Sequence, residues 1–590
     1  MKMFLSTHQQ AIASALFGLV VFCFWALFYV PALSYQEQLQ LFLFDNSYFL
    51  ERVCLPGGLA AYAAEFLVQF YYIPVIGAVI IAAITMGIQQ LTWATACRAG
   101  AKNEFFFLSF VPALLMWFHM GDESVLLAFP LSLLTTLATM LLWMELKNER
   151  IKRGAAFVII PPLYWACGPV AYAFAVFAIV CFFKQKGFKP MTWGLAIAFA
   201  AHTCGSTWGM SSHLQYPAYR IVLGLFYYRY PAAVPYMQVA IVALAGVWPW
   251  VMAALKAPQN RKAARMCEGL LFAVILLGGT VLVRCGFNSE RYELLKYDYL
   301  VRTERWPEII EQATRHQASA PMSVACVNLA LSQTGQMADR MFEFYQNGVQ
   351  GLLPVFERDF TSPVPTAETY LRLGMVNTAR RYFFEAQEAI PNFHKSGRLT
   401  RRLAETEIIN GQYKVAAKYL RMLQKTLFYR QWANRALTLL GKENEINADP
   451  LYGRLRKLQY KKDFLFSDAE TDQMLGLLLA RDNTNKMAFE YLLAYYLLQR
   501  NLEAFMKCYP LGRNMNYDHI PRSYQEALVY VWTQSHPSFN GMPWSIDQET
   551  CESMTDFART YVTNPKDSFL SQGSMAKTYW HYLLIQKPAK

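Results

Sequence analysis

The chain has 590 residues, 54% of them hydrophobic, and a formal charge of +13 from 55 basic and 42 acidic side chains. The charge is unevenly spread: residues 1–286 hold 18 Lys and Arg and 10 Asp and Glu, against 37 and 32 in the remainder. That split predicts an all-α protein with a polytopic transmembrane helical domain over 1–286, a helical-repeat domain over 287–510 and a helical extension and tail over 511–590.

The positive charge does not imply nucleic acid. Fourteen of those 18 basic residues are Lys2 or fall in four clusters between apolar runs, such as Lys147, Arg150, Lys152 and Arg153. This is the positive-inside bias of a membrane protein, so no nucleic-acid partner is expected. The eleven cysteines show no CxxC or Cys/His metal spacing, and Cys23, Cys181 and Cys204 read as small buried hydrophobes.

The first apolar run, AIASALFGLVVFCFWALFYVP at 11–31, is long enough to cross a bilayer. Its only basic flank is Lys2 and no small-x-small site follows, so it reads as a retained anchor rather than a cleaved signal peptide. An outer loop at 32–66 follows, with Glu37, Asp45, Glu51 and Glu65. Within it Asp45-Asn46-Ser47 reads either as a helix cap or as a carboxylate held for chemistry. Pro56-Gly57-Gly58 reads as a break before the next span.

Further spans are expected near 67–91, 105–120 and 124–145, the last two joined by the tight acidic turn HMGDES with His119, Asp122 and Glu123. The run at 155–183 has basic clusters at both ends and is too short for two full crossings, which predicts two short helices turning near Cys167-Gly168-Pro169. Pro161-Pro162 is expected to break the first of them. Spans near 191–207 (with His202), 232–255 and 267–284 bring the count to about nine. The loop at 209–231 between two of these carries His213, Arg220 and Arg229 among five tyrosines, as an interfacial belt contacting membrane lipids would. With the basic clusters inside, the N-terminus is cytoplasmic and everything after residue 285 lies opposite, in a bacterium the periplasmic face of the inner membrane.

The soluble part opens on internal repeats. AETYLRLGMVNTARRYFFEAQEAIP places Ala367, Tyr370, Gly374, Ala379, Phe383, Ala386 and Pro391 at the tetratricopeptide (TPR) spacing. LAETEIINGQYKVAAKYLRML repeats it with Leu403, Ala404, Gly411, Tyr413, Ala416 and Leu420. Small residues let paired helices approach, and aromatic or leucine side chains fill the groove left by the next pair. A TPR-like α-solenoid over roughly 290–510 follows, and its concave surface suits a protein or peptide partner. Residues 511–590 read as more helices ending in a loose tail.

One basal helix, an outer loop carrying Asp45 and a second short loop carrying Asp122 and Glu123 together resemble the C-type membrane glycosyltransferases. The multi-span core with a TPR tail looks especially like the transmembrane O-mannosyltransferases of the eukaryotic secretory pathway. The chain is also similar to a family of uncharacterised bacterial polytopic proteins with a PGG…FLVQFYYIP-like stretch. The glycosyltransferase resemblance implies a polyprenyl-phosphate sugar donor and an outward-facing site. Asp45 would be the base for an acceptor hydroxyl, with Asp122 and Glu123 as secondary acids. Arg220, His202, Glu51 and Arg229 would serve the lipid phosphate and substrate. The chain departs from the pattern in that Asp45 is followed by Asn46 rather than a second acid. No P-loop, dinucleotide fingerprint, HExxH, GxSxG or zinc spacing is present, so no cofactor is expected. The rival function is a non-catalytic, membrane-anchored TPR scaffold for envelope assembly.

Overall fold

In the computed structural model the described residues are 7–212, 214, 235–357, 359–390, 394–460, 470–566 and 568–586, and every regular element among them is helical. They form two compact units, one of Met1–Tyr292 with Lys425–Arg430, the other of Glu293–Gln424 with Gln431–Lys590.

The first unit runs α1 (Thr7–Cys23), α2 (Val30–Gln38), α3 (Asn46–Val53), α4 (Gly58–Val68), α5 (Pro74–Ala99), α6 (Phe110–His119), α7 (Ala128–Met144), α8 (Glu149–Cys167), α9 (Tyr172–Lys186), α10 (Pro190–Ser211), α11 (Tyr236–Ala254) and α12 (Arg261–Cys285). At its centre α5 packs against α1, α7 and α11. The fully buried Gln89 of α5 accepts from Ser14 Oγ of α1 (2.7 Å) and donates to Ser109 Oγ (2.8 Å), so both ends of a costly buried amide are satisfied. Close helix approach comes from Gly246 of α11, where a Cβ would lie 2.7 Å from the Ala173 carbonyl of α9.

Among the described residues five helical stretches are long and apolar enough to cross a membrane: His8–Phe28, Pro74–Ala99, Glu149–Lys186, Tyr236–Ala254 and Arg261–Cys285. About nine were expected from the sequence, and the difference has physical causes. The region near 105–120 folds as a seven-residue 3-10 segment, Asn103–Ser109, running into the ten-residue α6, so its helix changes type partway and falls short of one long spanning α-helix. Ala128–Met144 is apolar but shorter. In α10, His202, Thr203, Ser206 and Thr207 dilute the hydropathy. Glu149–Lys186 counts once, as a 38-residue helical stretch in which α8 and α9 are joined through a 3-10 turn at Gly168 (φ +60°). Pro161 and Pro162 lie inside α8 and do not end it, contrary to expectation.

The second unit continues from α13 (Ser289–Arg302), which begins in the first, through α14 (Trp306–Arg315), α15 (Pro321–Gln333), α16 (Met337–Arg340), α17 (Pro363–Leu373), α18 (Val376–Ala389), α19 (Gly397–Ile409), α20 (Tyr413–Gln424), α21 (Arg430–Leu439), α22 (Glu443–Ala448), α23 (Tyr452–Leu458), α24 (Thr471–Arg481), α25 (Lys486–Leu498), α26 (Leu502–Cys508), α27 (Arg522–Thr533), α28 (Gln548–Thr563) and α29 (Tyr579–Leu584). A left-handed residue recurs between successive helices: Glu304, Gly335, Gly374, Gly411, Gly441 and Arg500. α17 packs on α18, α18 on α19, and α19 on α20. The motif positions Ala367, Tyr370, Ala379, Phe383, Ala386, Leu403, Ala404, Ala416 and Leu420 are all buried, the alanines giving room and the larger side chains filling it. Near the C-terminus Val529, Met554, Phe557, Leu570 and Trp580 form a separate core, fastened by Trp580 Nε1 donating to the Glu526 carbonyl at 2.8 Å.

Candidate functional site

The four acids of the outer loop are all engaged, Glu51 and Glu65 by the same arginine. Asp45 stands in extended backbone (φ −146°, ψ 137°) at the N-cap position of α3. Its Oδ2 accepts from Ser47 Oγ at 2.7 Å and from Lys425 Nζ at 2.8 Å, while the Phe44 amide donates to the Lys425 carbonyl at 2.7 Å. The Lys425 ammonium, and then the Ser47 hydroxyl, hold this carboxyl below its ordinary range, so Asp45 is a stable carboxylate. Glu37 is buried and accepts from the Tyr429 hydroxyl at 2.9 Å. Glu51 is exposed, with Arg52 Nη1 at 3.3 Å. Glu65 is buried, accepting from Arg52 Nε at 3.1 Å and from the Tyr48 hydroxyl, and the Arg52 guanidinium lies 4.8 Å from the Tyr48 ring centroid. Pro56-Gly57-Gly58 sets the turn into α4: Gly57 takes φ +77°, and a Cβ on Gly58 would meet the Arg52 carbonyl oxygen.

The remaining candidates have structural partners too. Asp122 Oδ1 accepts from the Ser124 amide at 3.0 Å, an Asx turn that closes the tight loop. Its neighbour Glu123 is buried and accepts from Arg291 Nε. His202 Nε2 donates to the Phe157 carbonyl at 2.9 Å, with the two rings 5.4 Å apart, fastening α10 to α8. Arg220, Arg229 and His213 lie outside the described residues. Among the described residues no three His, Cys, Asp or Glu side chains converge as a metal site.

A denser constellation, which the sequence reading did not single out, lies in the second unit. Glu368 of α17 is completely buried and accepts from Arg372 Nη1 (2.6 Å), Arg402 Nε (2.8 Å) and Arg402 Nη2 (2.9 Å), with Arg398 Nη2 at 3.6 Å. Burial alone would raise its pKa, but Arg402, Arg372 and Arg398 outweigh it and hold Glu368 far below the carboxylate range. Each arginine also has a second acid: Arg372 binds Glu304 (2.7 Å), Arg398 binds Asp298 (2.8 Å) and Arg402 binds Glu405 (2.6 Å).

Beside this network opens a cleft of about 230 Å³ lined by Glu304, Trp306, Gln333, Leu371, Arg372, Arg402, Pro450, Leu451 and Arg454. The Arg372 guanidinium lies 5.1 Å from the Trp306 ring centroid. Arg454 is exposed and makes no hydrogen bond or ion pair among the described residues. Desolvation and the nearby Arg372 charge push its pKa down, with Glu304 opposing them. The cleft therefore holds three guanidinium groups against one carboxylate on its walls.

Against known proteins, a model described as a family of unknown function (DUF6057) matches residues 6–586, and the chain belongs to that family. No curated protein and no solved structure matches.

Proposed function

We propose that this member of the DUF6057 family is a non-catalytic, membrane-anchored scaffold. Its apolar helices hold it in a bilayer, and a TPR-like α-solenoid over roughly residues 290–510 recruits a protein partner. Support for the solenoid comes from the left-handed residue that recurs between successive helices and from the buried alanines at the motif positions. The positive-inside distribution favours about nine crossings with the solenoid at the periplasmic face of a bacterial inner membrane.

One observation carries the scaffold reading: the described candidate acids are each engaged separately, Asp45 by Lys425, Asp122 by its own turn and Glu123 by Arg291. A base must be free to reach the proton it removes. The second reading, transfer of a sugar from a polyprenyl-phosphate donor with Asp45 as base, is favoured by one fact: Asp45 is an ionised, partly exposed carboxylate whose Lys425 partner is exposed and exchangeable.

The test uses full-length protein in lipid nanodiscs, radiolabelled polyprenyl-phosphate hexose and a mixture of serine-containing peptides as acceptors. The scaffold reading expects no sugar release above that of the Asp45→Asn variant. Asp45-dependent turnover would overturn it and install the transferase.

A further inference from the structure

We propose that the arginine-lined cleft of the second unit is the binding site for an oxyanion, carboxylate or phosphate, carried on a peptide segment. The proposal rests on the scaffold reading and gives that scaffold's partner its chemistry.

Three features of the cleft point to this ligand. The first is a guanidinium unpaired among the described residues. Arg372 and Arg402 are tied to Glu368 and to second acids, whereas Arg454 has no hydrogen-bonding partner among the described residues. An arginine left beside a like charge is stabilised by an anion that both can share, and its planar fork fits carboxylate or phosphate oxygens bidentately.

The second is the carboxylate already present. Glu304 accepts from Arg372 Nη2 at the edge of the buried network, and its side chain is 60% exposed. It also sits at φ +54°, a left-handed conformation rare for a glutamate. An exposed carboxylate on a buried guanidinium marks where an external oxyanion would sit and is itself displaceable. Glu304 thus acts as an internal stand-in that competes with the ligand.

The third is the wall composition. Leu371, Pro450, Leu451 and Trp306 supply apolar surface beside the cations, and Gln333 supplies an amide. A free inorganic ion needs none of these, whereas a peptide brings side chains and backbone amides along with its charge. The volume of about 230 Å³ is enough for one charged side chain.

The experiment measures fluorescence anisotropy with full-length protein in phosphatidylcholine nanodiscs. The probes are three labelled octapeptides differing only at two positions, filled by glutamate, phosphoserine or glutamine. The expected result is salt-sensitive binding of the glutamate peptide, the phosphoserine peptide or both, and none of the glutamine peptide. Which charged peptide binds more tightly names the oxyanion. Arg454→Gln should weaken binding about tenfold, the loss of one charge-assisted contact. Glu304→Gln should strengthen it several-fold by withdrawing the competitor. Equal binding of the glutamine peptide, or unchanged affinity in Arg454→Gln with its helical circular dichroism intact, overturns the proposal. So does Arg454-dependent capture of phosphatidylglycerol vesicles without peptide binding. None of these outcomes touches sugar transfer, which the Asp45 assay reads, so the two ideas fail separately.

Discussion

Replacing Glu368 by glutamine keeps the shape of the side chain and removes its charge from the middle of the arginine network. Cutting one partner out of a buried ion pair costs about 3–5 kcal/mol, because the charge left behind stays desolvated. Here the consequence is shared, since Arg372 keeps Glu304, Arg398 keeps Asp298 and Arg402 keeps Glu405. The expected loss therefore sits at the low end, about 3 kcal/mol, which multiplies the open population of this region more than a hundredfold. Hydrogen exchange followed by mass spectrometry reads it directly, on peptides covering Pro363–Leu373 and Gly397–Ile409 of the full-length protein. The same carboxyl sets an acid limit. Its folded pKa lies below its unfolded one, so its contribution is complete above the unfolded value near 4.5 and is lost as pH falls toward the folded one. Wild-type protection of these helices should thus fall progressively below about pH 4.5, while Glu368→Gln should show less of that dependence. Exchange in the variant within about 1 kcal/mol of wild type at pH 7 would refute the reasoning, since it would mean that Glu368 is not what balances the three guanidiniums.

Two further outcomes follow from the second unit. Gly374→Ala should destabilise it by about 2–4 kcal/mol, combining a left-handed alanine with crowding, because φ is +98° and the new Cβ would lie 2.9 Å from the Leu458 Cβ. Gly411→Ala, at φ +73° with nothing within 4 Å, should cost only about 1–2 kcal/mol, and thermal melts of the two variants compare them. Glu526 runs opposite to Glu368: burial pushes its carboxyl up to about 7 against the Tyr579 amide and Arg522. Its contribution is complete below pH 4.5 and lost as pH rises to 7, about 3 kcal/mol in all, and Glu526→Gln should flatten that slope in exchange rates over Arg522–Thr533.

How much of this is legible in the sequence depends on how local each signal is. Gly374 and Gly411 announce themselves because a turn with positive φ needs glycine and the flanking alanines repeat at fixed offsets. Gly168 is equally legible as the interruption between α8 and α9. Pro161 and Pro162 mislead, because a helix carries on through a proline pair when the surrounding packing outweighs the lost hydrogen bonds. Span counting is less legible where an apolar run folds as a 3-10 segment leading into a short α-helix, as at Asn103–Ser109 and α6. The arginine network is nearly invisible: Glu368 and Arg402 are 34 residues apart, and charged residues on an amphipathic helix read as a solvated face. A trace exists in the i, i+4 placement of Glu368 with Arg372 and of Arg401 with Glu405, on helices whose neighbouring positions are buried.

The energetics of that network bear on what it is for. A buried cluster of ion pairs contributes little net stability, and well-packed apolar side chains of the same volume often do as well or better. What the cluster supplies instead is position. Arg402 is held by two bonds to Glu368 and one to Glu405, and Arg372 by Glu368 from beneath, so neither guanidinium needs to be ordered when a ligand arrives. Binding is improved when the ordering of long side chains is complete in advance. Of the cleft's three arginines Arg454 alone has no hydrogen-bonding partner among the described residues, and Glu304 alone is exposed among the four acids bound to Arg372, Arg398 and Arg402. The residues free to respond are thus the two that a bound oxyanion would have to recruit and displace. That asymmetry is the physical reason to look for the partner at this cleft, with Arg454→Gln and Glu304→Gln moving its affinity in opposite directions.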